Sequence, residues 1–188
     1  MAADPYVWPH VPVRGGDLLQ GLALHIVFQQ INTTVALSLF ARLTAVLGGE
    51  ITAERLAAAS DAQLRSAGLS GAKARALQEL GARIVAGELS LEALRELDDA
   101  AVEAQLVTLR GVGPWSAQMF LLHELRRPDV FAAGDVALRN AIGRLDGLER
   151  PPDIKQANER ALVWRPYRSY AAAHLWHWNE TRLTVGER

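Results

Sequence analysis

The segment that predicts the fold is Leu109-Arg110-Gly111-Val112-Gly113-Pro114-Trp115-Ser116-Ala117. Two glycines around one apolar residue allow a tight turn whose backbone can come close to another molecule. Pro114 fits the first position of a helix, where its missing N–H costs nothing. The exposed N–H groups of the turn and of the new helix end suit an anion such as phosphate. The segment predicts a helical hairpin that binds phosphate, and an ordinary helix–helix turn is the alternative.

The carboxylate of Asp135, further along the chain, makes this hairpin a candidate for chemistry as well as binding. Asp135 also precedes a helical pattern, so spacing alone leaves a catalytic group and a helix N-cap equally open. Asp129 is the nearest alternative, and we expect it to cap or solvate the connecting segment. This segment, 128–134, is the candidate hinge between two lobes.

The rest of the chain predicts helices, because apolar residues recur at helical spacing and no alternating strand pattern occurs. Caps and glycine or proline stops set the approximate boundaries. The predicted helices cover residues 18–27, 33–47, 53–59, 61–67, 71–86, 98–107, 114–125, 135–145, 153–163 and 166–180.

Composition excludes several classes of protein. The chain has no cysteine, which rules out disulfides, thiolate catalysis, thiolate zinc sites and iron–sulfur clusters. No apolar run reaches the roughly 18 residues of a membrane span, and residues 1–8 lack the pattern of a secretory signal. These features predict a cytoplasmic protein, associated with the nucleoid if it is bacterial. The net charge of −1 counts mildly against DNA binding, although a local basic face can coexist with a neutral total.

Together the motifs resemble the helix–hairpin–helix DNA glycosylases, and within them the 3-methyladenine DNA glycosylase II branch. The resemblance rests on the hairpin segment and on Asp129-Val130-Phe131-Ala132-Ala133-Gly134-Asp135. The segment Ile26-Val27-Phe28-Gln29-Gln30-Ile31 is similar to an early helix and loop of that branch. Its final helix is similar to Trp164-Arg165-Pro166-Tyr167-Arg168-Ser169-Tyr170-Ala171 with His174-Leu175-Trp176. The resemblance covers about residues 16–178.

This resemblance implies an all-α, two-lobed helix–hairpin–helix DNA glycosylase fold with the active-site cleft between the lobes. Residues 21–131 would form the lobe that carries the hairpin, at about 107–115. Residues 1–20 and 132–188 would form the second lobe, which carries Asp135, and no extra N-terminal β domain is expected. The expected partner is double-stranded DNA containing alkylated bases, bound by a monomer that needs no cofactor.

The resemblance also implies a reaction. Removing a base breaks the sugar–base bond through a sugar with oxocarbenium character, and the carboxylate of Asp135 would stabilise that charge and orient water. Related enzymes that also cleave the strand often carry a lysine where this chain has Trp115. Neither Lys73 nor Lys155 occupies a matching position. We therefore expect a monofunctional enzyme that leaves an intact abasic site.

Trp115 and Trp176 are the expected walls of the base pocket, because aromatic faces attract a cationic alkylated base. Packing in the core is the commoner fate of tryptophan and is the alternative. Met119 and Val136 stand where related pockets add aromatic surface, which predicts a roomier pocket and leaves the substrate range open. Trp8 is a further candidate to reach the cleft.

Several residues are candidates for contact with DNA. The hairpin backbone at Gly111, Val112 and Gly113 would bind phosphate, and Gln30 matches the side chain that fills the gap left by a flipped nucleotide. The alternative for Gln30 is an exposed helix end. Basic candidates for backbone contact are Lys73, Arg110, Arg139 and Arg168, although charged helix residues are usually just solvated.

No side-chain metal site is expected, because the five histidines show no ligand spacing with carboxylates. A monovalent cation at the carbonyl oxygens of Val107, Leu109 and Val112 is compatible with the resemblance. Two other functions remain open. One is a mismatch or oxidised-base glycosylase of the same fold, disfavoured by the missing cysteines and by Trp115. The other is a non-catalytic DNA-binding module, disfavoured by Gly134-Asp135.

Overall fold

The structure is a computed structural model that describes residues 17–186, with side chains up to Asn179. Every regular element in this part of the chain is helical, which confirms the predicted all-α class. The α-helices are α1 Leu18–Phe28, α2 Thr33–Val46, α3 Ala53–Ala58, α4 Asp61–Ser66, α5 Gly71–Val85, α6 Asp99–Leu106, α7 Pro114–His123, α8 Val136–Leu145, α9 Ile154–Ala161 and α10 Arg168–Gly186. Short 3₁₀ helices cover Ala93–Glu96 and Leu162–Trp164. No helix in residues 17–186 has both the length and the apolarity to span a bilayer.

The described residues divide into two compact units, 17–125 and 126–186. The lobes predicted at 21–131 and at 1–20 plus 132–188 remain a prediction, and Trp8 lies outside the described residues.

Side-chain caps set the starts of the helices in the first unit. Asp17, Asn32 and Thr52 accept hydrogen bonds from backbone N–H groups of α1, α2 and α3, and such caps satisfy N–H groups that have no partner within the helix. Ser60, Ser70 and Asp98 do the same for α4, α5 and α6. By contrast, the N-cap position of α7 is Gly113, which has no side chain to act as a cap.

The core of the first unit lies where α5 crosses α3 and where α1 meets α7. Leu22, Leu77, Leu80 and Phe120 are fully buried. Gly81 allows the close approach of α5 to α3, because a Cβ built there would lie 2.5 Å from the carbonyl oxygen of Ala53. Leu77 and Leu80 thus direct an apolar face of α5 into the core.

The second unit has α8 packed against α10. Asp153 and Gln156 form a capping box at the start of α9. Arg160 donates two hydrogen bonds, of 2.7 and 3.0 Å, to the carboxylate of Asp146. These contacts tie α9 to the end of α8.

The segment 128–134, which we expected to be a hinge, is instead fixed within the second unit. Val130 and Phe131 are buried, with 6% and 4% of their surface exposed. The hydroxyl of Ser169, at the start of α10, donates to the carbonyl oxygen of Arg127 at 2.6 Å and accepts from the N–H of Val130 at 3.0 Å. Buried side chains and bonded backbone groups do not suit a hinge, so that expectation was wrong.

Candidate active site and nucleic-acid interface

The hairpin between α6 and α7 closes through one backbone hydrogen bond, from the N–H of Val112 to the carbonyl oxygen of Leu109 at 3.1 Å. Gly111 has a φ of +75°, in the left-handed region that favours glycine. Gly113 has ordinary extended backbone, and a Cβ built there would meet nothing within 4 Å. The two glycines thus differ: Gly111 makes the turn, whereas Gly113 leaves open space in front of the first turn of α7.

This open space faces a helix N-terminus without a side-chain cap, which carries partial positive charge. An anion is the expected occupant of such a position. A cation at the carbonyl oxygens of Val107, Leu109 and Val112 stays a prediction. Among the side chains that the structure describes, in residues 17–179, no three of histidine, aspartate or glutamate are grouped to hold a metal ion.

One face of α5 supports the hairpin. A Cβ built on Gly111 would lie 3.1 Å from the Cβ of Ala76. The N–H of Arg110 donates to the carboxylate of Glu79 at 3.2 Å, and Arg83 donates to the hydroxyl of Thr108 at 3.0 Å. Since residues three to four apart share one side of a helix, these contacts form a single stripe along α5.

The loop after α1 is joined to both the hairpin and α5. The side-chain amide of Gln29 donates to the carbonyl oxygen of Gly111 and to the hydroxyl of Ser116, both at 2.8 Å. The ammonium of Lys73 donates to the carbonyl oxygens of Val27 and Gln29 at 2.8 and 2.9 Å. Gln30 is exposed and has a φ of 59°. Burial also lowers the pKa of Lys73 below its ordinary value.

Lys73 thus bonds to backbone groups within the protein, and its contact with phosphate stays a prediction. Its ammonium lies at the C-terminal end of α1, whose carbonyl groups carry partial negative charge. Gln29 was not among the predicted site residues. Its partners on the hairpin are more than eighty residues away in the chain, so no local pattern could have identified it.

Asp135 is a helix cap, which is one of the two interpretations that its spacing left open. Its Oδ1 accepts a hydrogen bond from the N–H of Leu138 at 2.9 Å, so it is the N-cap of α8. The same oxygen accepts from the indole Nε1 of Trp176 at 3.1 Å. These two donors fix the orientation of the carboxylate, and a catalytic role for Asp135 stays a prediction.

The predicted pocket residues fall in both units. Trp176 is buried, and its indole N–H donates to the carboxylate of Asp135. Val136, at the start of α8, is 60% exposed. In the first unit, Trp115 and Met119 lie one turn apart on α7 and so share a face. Trp115 is half-buried and Met119 is buried. Their contact with a base remains a prediction.

The basic candidates differ in their partners. Arg110 is exposed, and its side chain makes no ion pair with another described residue. Arg139 lies one turn into α8, with a buried Nε that has no hydrogen-bond partner among the described residues.

Arg168 instead binds Asp129, with bonds of 2.7 and 3.0 Å to the carboxylate. This bonding holds the pKa of Asp129 below its ordinary value. Asp129 was expected only to cap or solvate the connecting segment. A guanidinium whose N–H groups already donate to a carboxylate has few donors left for phosphate. The structure therefore favours a role for Arg168 in binding Asp129 within the protein.

Sequence comparison places this geometry in a family context. A model of the HhH-GPD superfamily of base excision DNA repair proteins matches residues 24–166. The chain is 29% identical to a DNA-3-methyladenine glycosylase of Bacillus subtilis, over 85% of the chain and 56% of that protein. It is 30% identical to DNA-3-methyladenine glycosylase 2 of Escherichia coli, over 81% and 54%. The chain thus spans about half the length of the curated relatives it matches.

Two solved structures have a similar fold. The 3-methyladenine DNA glycosylase of Schizosaccharomyces pombe in complex with abasic DNA has a TM-score of 0.85 and 23% identity, covering 97% of this chain and 90% of that one. The DNA-3-methyladenine glycosidase of Bacillus halodurans has a TM-score of 0.77 and 29% identity, covering 93% and 82%.

Proposed function

The chain belongs to the HhH-GPD superfamily of base excision DNA repair proteins, and on this premise we propose that it is a monofunctional DNA glycosylase that removes alkylated bases. The observation that carries the proposal is the carboxylate of Asp135, oriented by the first turn of α8 and by Trp176. Relatives named as DNA-3-methyladenine glycosylases support the substrate class. The proposed partner is double-stranded DNA, bound by a monomer without a cofactor.

In the proposed reaction, Asp135 faces the sugar of a nucleotide that has left the base stack. Its negative charge stabilises the positive charge that develops on the sugar as the bond to the base breaks. It also orients the water that attacks the sugar. An alkylated purine is already cationic and leaves readily, so the carboxylate supplies most of the chemistry. Trp176, bonded to Asp135, offers such a base an aromatic face, and contact of Trp115 with the base is a further proposal.

The hairpin is the element proposed to bind the DNA backbone. Phosphate would bind in the open space beside Gly113, at the uncapped N-terminus of α7. Arg110, exposed on the same hairpin, adds positive charge, and Arg139 does so beside Asp135. Gln30 is the proposed plug that fills the gap left by the flipped nucleotide.

The proposal is tested by incubating the protein with methylated duplex DNA and separating the released bases by chromatography. We expect 3-methyladenine and 7-methylguanine in the released fraction, because a cationic purine is the better leaving group. A parallel digest of unmethylated DNA is the control. Absence of any released base, with the protein folded, would refute the glycosylase proposal.

The same reaction predicts that the DNA strand stays intact. Position 115 holds a tryptophan, which cannot form the Schiff base that strand cleavage requires. On a gel, DNA treated with the protein should break at the abasic site only after alkali is added. Borohydride should trap no covalent protein–DNA adduct, and strand breaks without alkali would contradict a monofunctional enzyme.

A Gly111→Ala variant is expected to bind duplex DNA about tenfold more weakly, which corresponds to one charge-assisted hydrogen bond of about 1.5 kcal/mol. The new methyl group would crowd Ala76 and disfavour the φ of +75° that shapes the turn. Gly147→Ala is the matched control, since Gly147 has a φ of +65° and open space around its Cβ position. Affinity is measured by fluorescence anisotropy. Equal losses of affinity in both variants would argue against the hairpin as the element that binds the DNA backbone.

A further inference from the structure

We propose that Lys73 and Gln29 are positioning residues that hold Gln30 at a fixed place relative to the hairpin 111–113. The inference rests on the proposed function in one respect, namely that Gln30 enters the DNA. It assigns Lys73 a role other than phosphate contact and gives Gln29 a role that no sequence pattern indicates. Each residue acts through Gln30.

Gln30 needs such support because of its backbone. Its φ of 59° lies in the left-handed region, which residues other than glycine rarely adopt. A residue persists in that conformation only when its surroundings determine it. Gln30 is itself exposed, so the determining contacts have to come from its neighbours in the chain.

Lys73 supplies the first of these contacts. Its ammonium binds the carbonyl oxygens of Val27 and Gln29, at 2.8 and 2.9 Å, and so bridges the last turn of α1 and the residue before Gln30. An ammonium has three N–H donors, and two of them form these hydrogen bonds. The bridge fixes the direction in which the chain leaves α1.

Gln29 supplies the second contact. Its amide nitrogen binds the carbonyl oxygen of Gly111 on the hairpin and the hydroxyl of Ser116 on α7. Ser116 is 1% exposed, so this anchor belongs to the buried part of α7. The residue next to Gln30 is therefore bonded to the hairpin itself. This bonding fixes the position of Gln30 relative to Gly113 within residues 17–125.

The common support is α5. Lys73 lies one turn before Ala76 on the same side of that helix. Ala76 faces Gly111 so closely that a Cβ built on Gly111 would lie 3.1 Å from the Cβ of Ala76. A movement of the loop relative to the hairpin would therefore have to break contacts at both places.

The test uses a duplex that contains a tetrahydrofuran abasic analogue opposite 2-aminopurine, whose fluorescence reports unstacking. The variants are Lys73→Met, Gln29→Ala and Gln30→Ala, each checked for thermal unfolding.

Lys155→Met is the matched control, because it removes the same charge from an exposed lysine on α9. We expect Lys73→Met and Gln29→Ala each to weaken the fluorescence-detected complex about tenfold, within the range of coupling between contacting residues. The control should equal wild type, and Lys73→Arg, which keeps a cationic donor, should recover part of the loss.

Two further measurements separate positioning from other roles. In a Gln30→Ala background, Lys73→Met and Gln29→Ala should have effects of less than about twofold, because the side chain they position is gone. The slope of log affinity against log salt should be the same in Lys73→Met and wild type. A direct phosphate contact would instead lower that slope by about 1.

The proposal is overturned if Lys73→Met lowers the salt slope, if its cost persists in the Gln30→Ala background, or if Lys155→Met has the same effect. Wild type that gives no fluorescence response with this duplex also overturns it. Wild type that responds but releases no base from methylated DNA defeats the glycosylase proposal alone, because the abasic duplex needs no chemistry.

Discussion

An Asp135→Asn variant should release alkylated bases at least about a hundredfold more slowly than wild type, the lower range for loss of a catalytic acid or base. The amide is neutral, so it cannot stabilise positive charge on the sugar. Its oxygen can still accept from the N–H of Leu138 and from the indole of Trp176, which now bond to Oδ1. Asparagine and aspartate are comparable N-caps, so the unfolding temperature should stay unchanged.

The experiment compares single-turnover base release with thermal unfolding and binding to abasic-site DNA. Asp153→Asn is the matched control, because Asp153 caps α9 through the same kind of bond, at 2.8 Å. That variant should keep the wild-type rate. If Asp135→Asn instead keeps its rate, or loses activity only in proportion to lost folding, Asp135 is a cap and the catalytic proposal fails.

A Gly81→Ala variant should unfold about 4–8 °C below wild type, a loss near 2 kcal/mol for a chain of this size. The added methyl group would lie 2.5 Å from the carbonyl oxygen of Ala53 and 2.7 Å from the amide nitrogen of Ala57. Backbone atoms of α3 cannot rotate away as a side chain can, so α5 has to shift, at a cost of about 3 kcal/mol. The better helix propensity of alanine offsets about 1 kcal/mol of that cost.

Gly71→Ala provides the comparison, because Gly71 lies in the first turn of the same helix and its nearest neighbour is the mobile guanidinium of Arg75, at 3.2 Å. That variant should unfold at the wild-type temperature or slightly above it. Thermal unfolding followed by circular dichroism measures both. Equal unfolding temperatures for Gly81→Ala and wild type would mean that α3 and α5 are not in such close contact.

The parts of the fold that sequence patterns predicted are those with local causes. Gly111 and Pro114 act through their own backbone angles, so the hairpin and the start of α7 were predicted correctly. Capping residues predicted most helix starts for the same reason. The start of α10 was predicted two residues early, at Pro166, because no capping residue marks it.

Contacts between distant residues could not be predicted in this way. Three of the four bonds made by Lys73 and Gln29 end on backbone carbonyl oxygens, and every residue type has one. The pairing of Arg168 with Asp129 joins residues 39 positions apart, and neither has a neighbour that indicates the other. Charge alone suggested a DNA contact for Lys73 and Arg168, and only the fold shows that each has a protein partner.

The stripe on α5 has a consequence for changes in chain length. Lys73, Ala76, Glu79 and Arg83 reach the loop and the hairpin only because helical spacing keeps them on one side. One inserted residue between them would turn everything that follows by about 100° and carry the later members of the stripe away from their partners. Length variation should therefore be absent from this helix in natural relatives and should appear instead in exposed turns such as the one at Gly87.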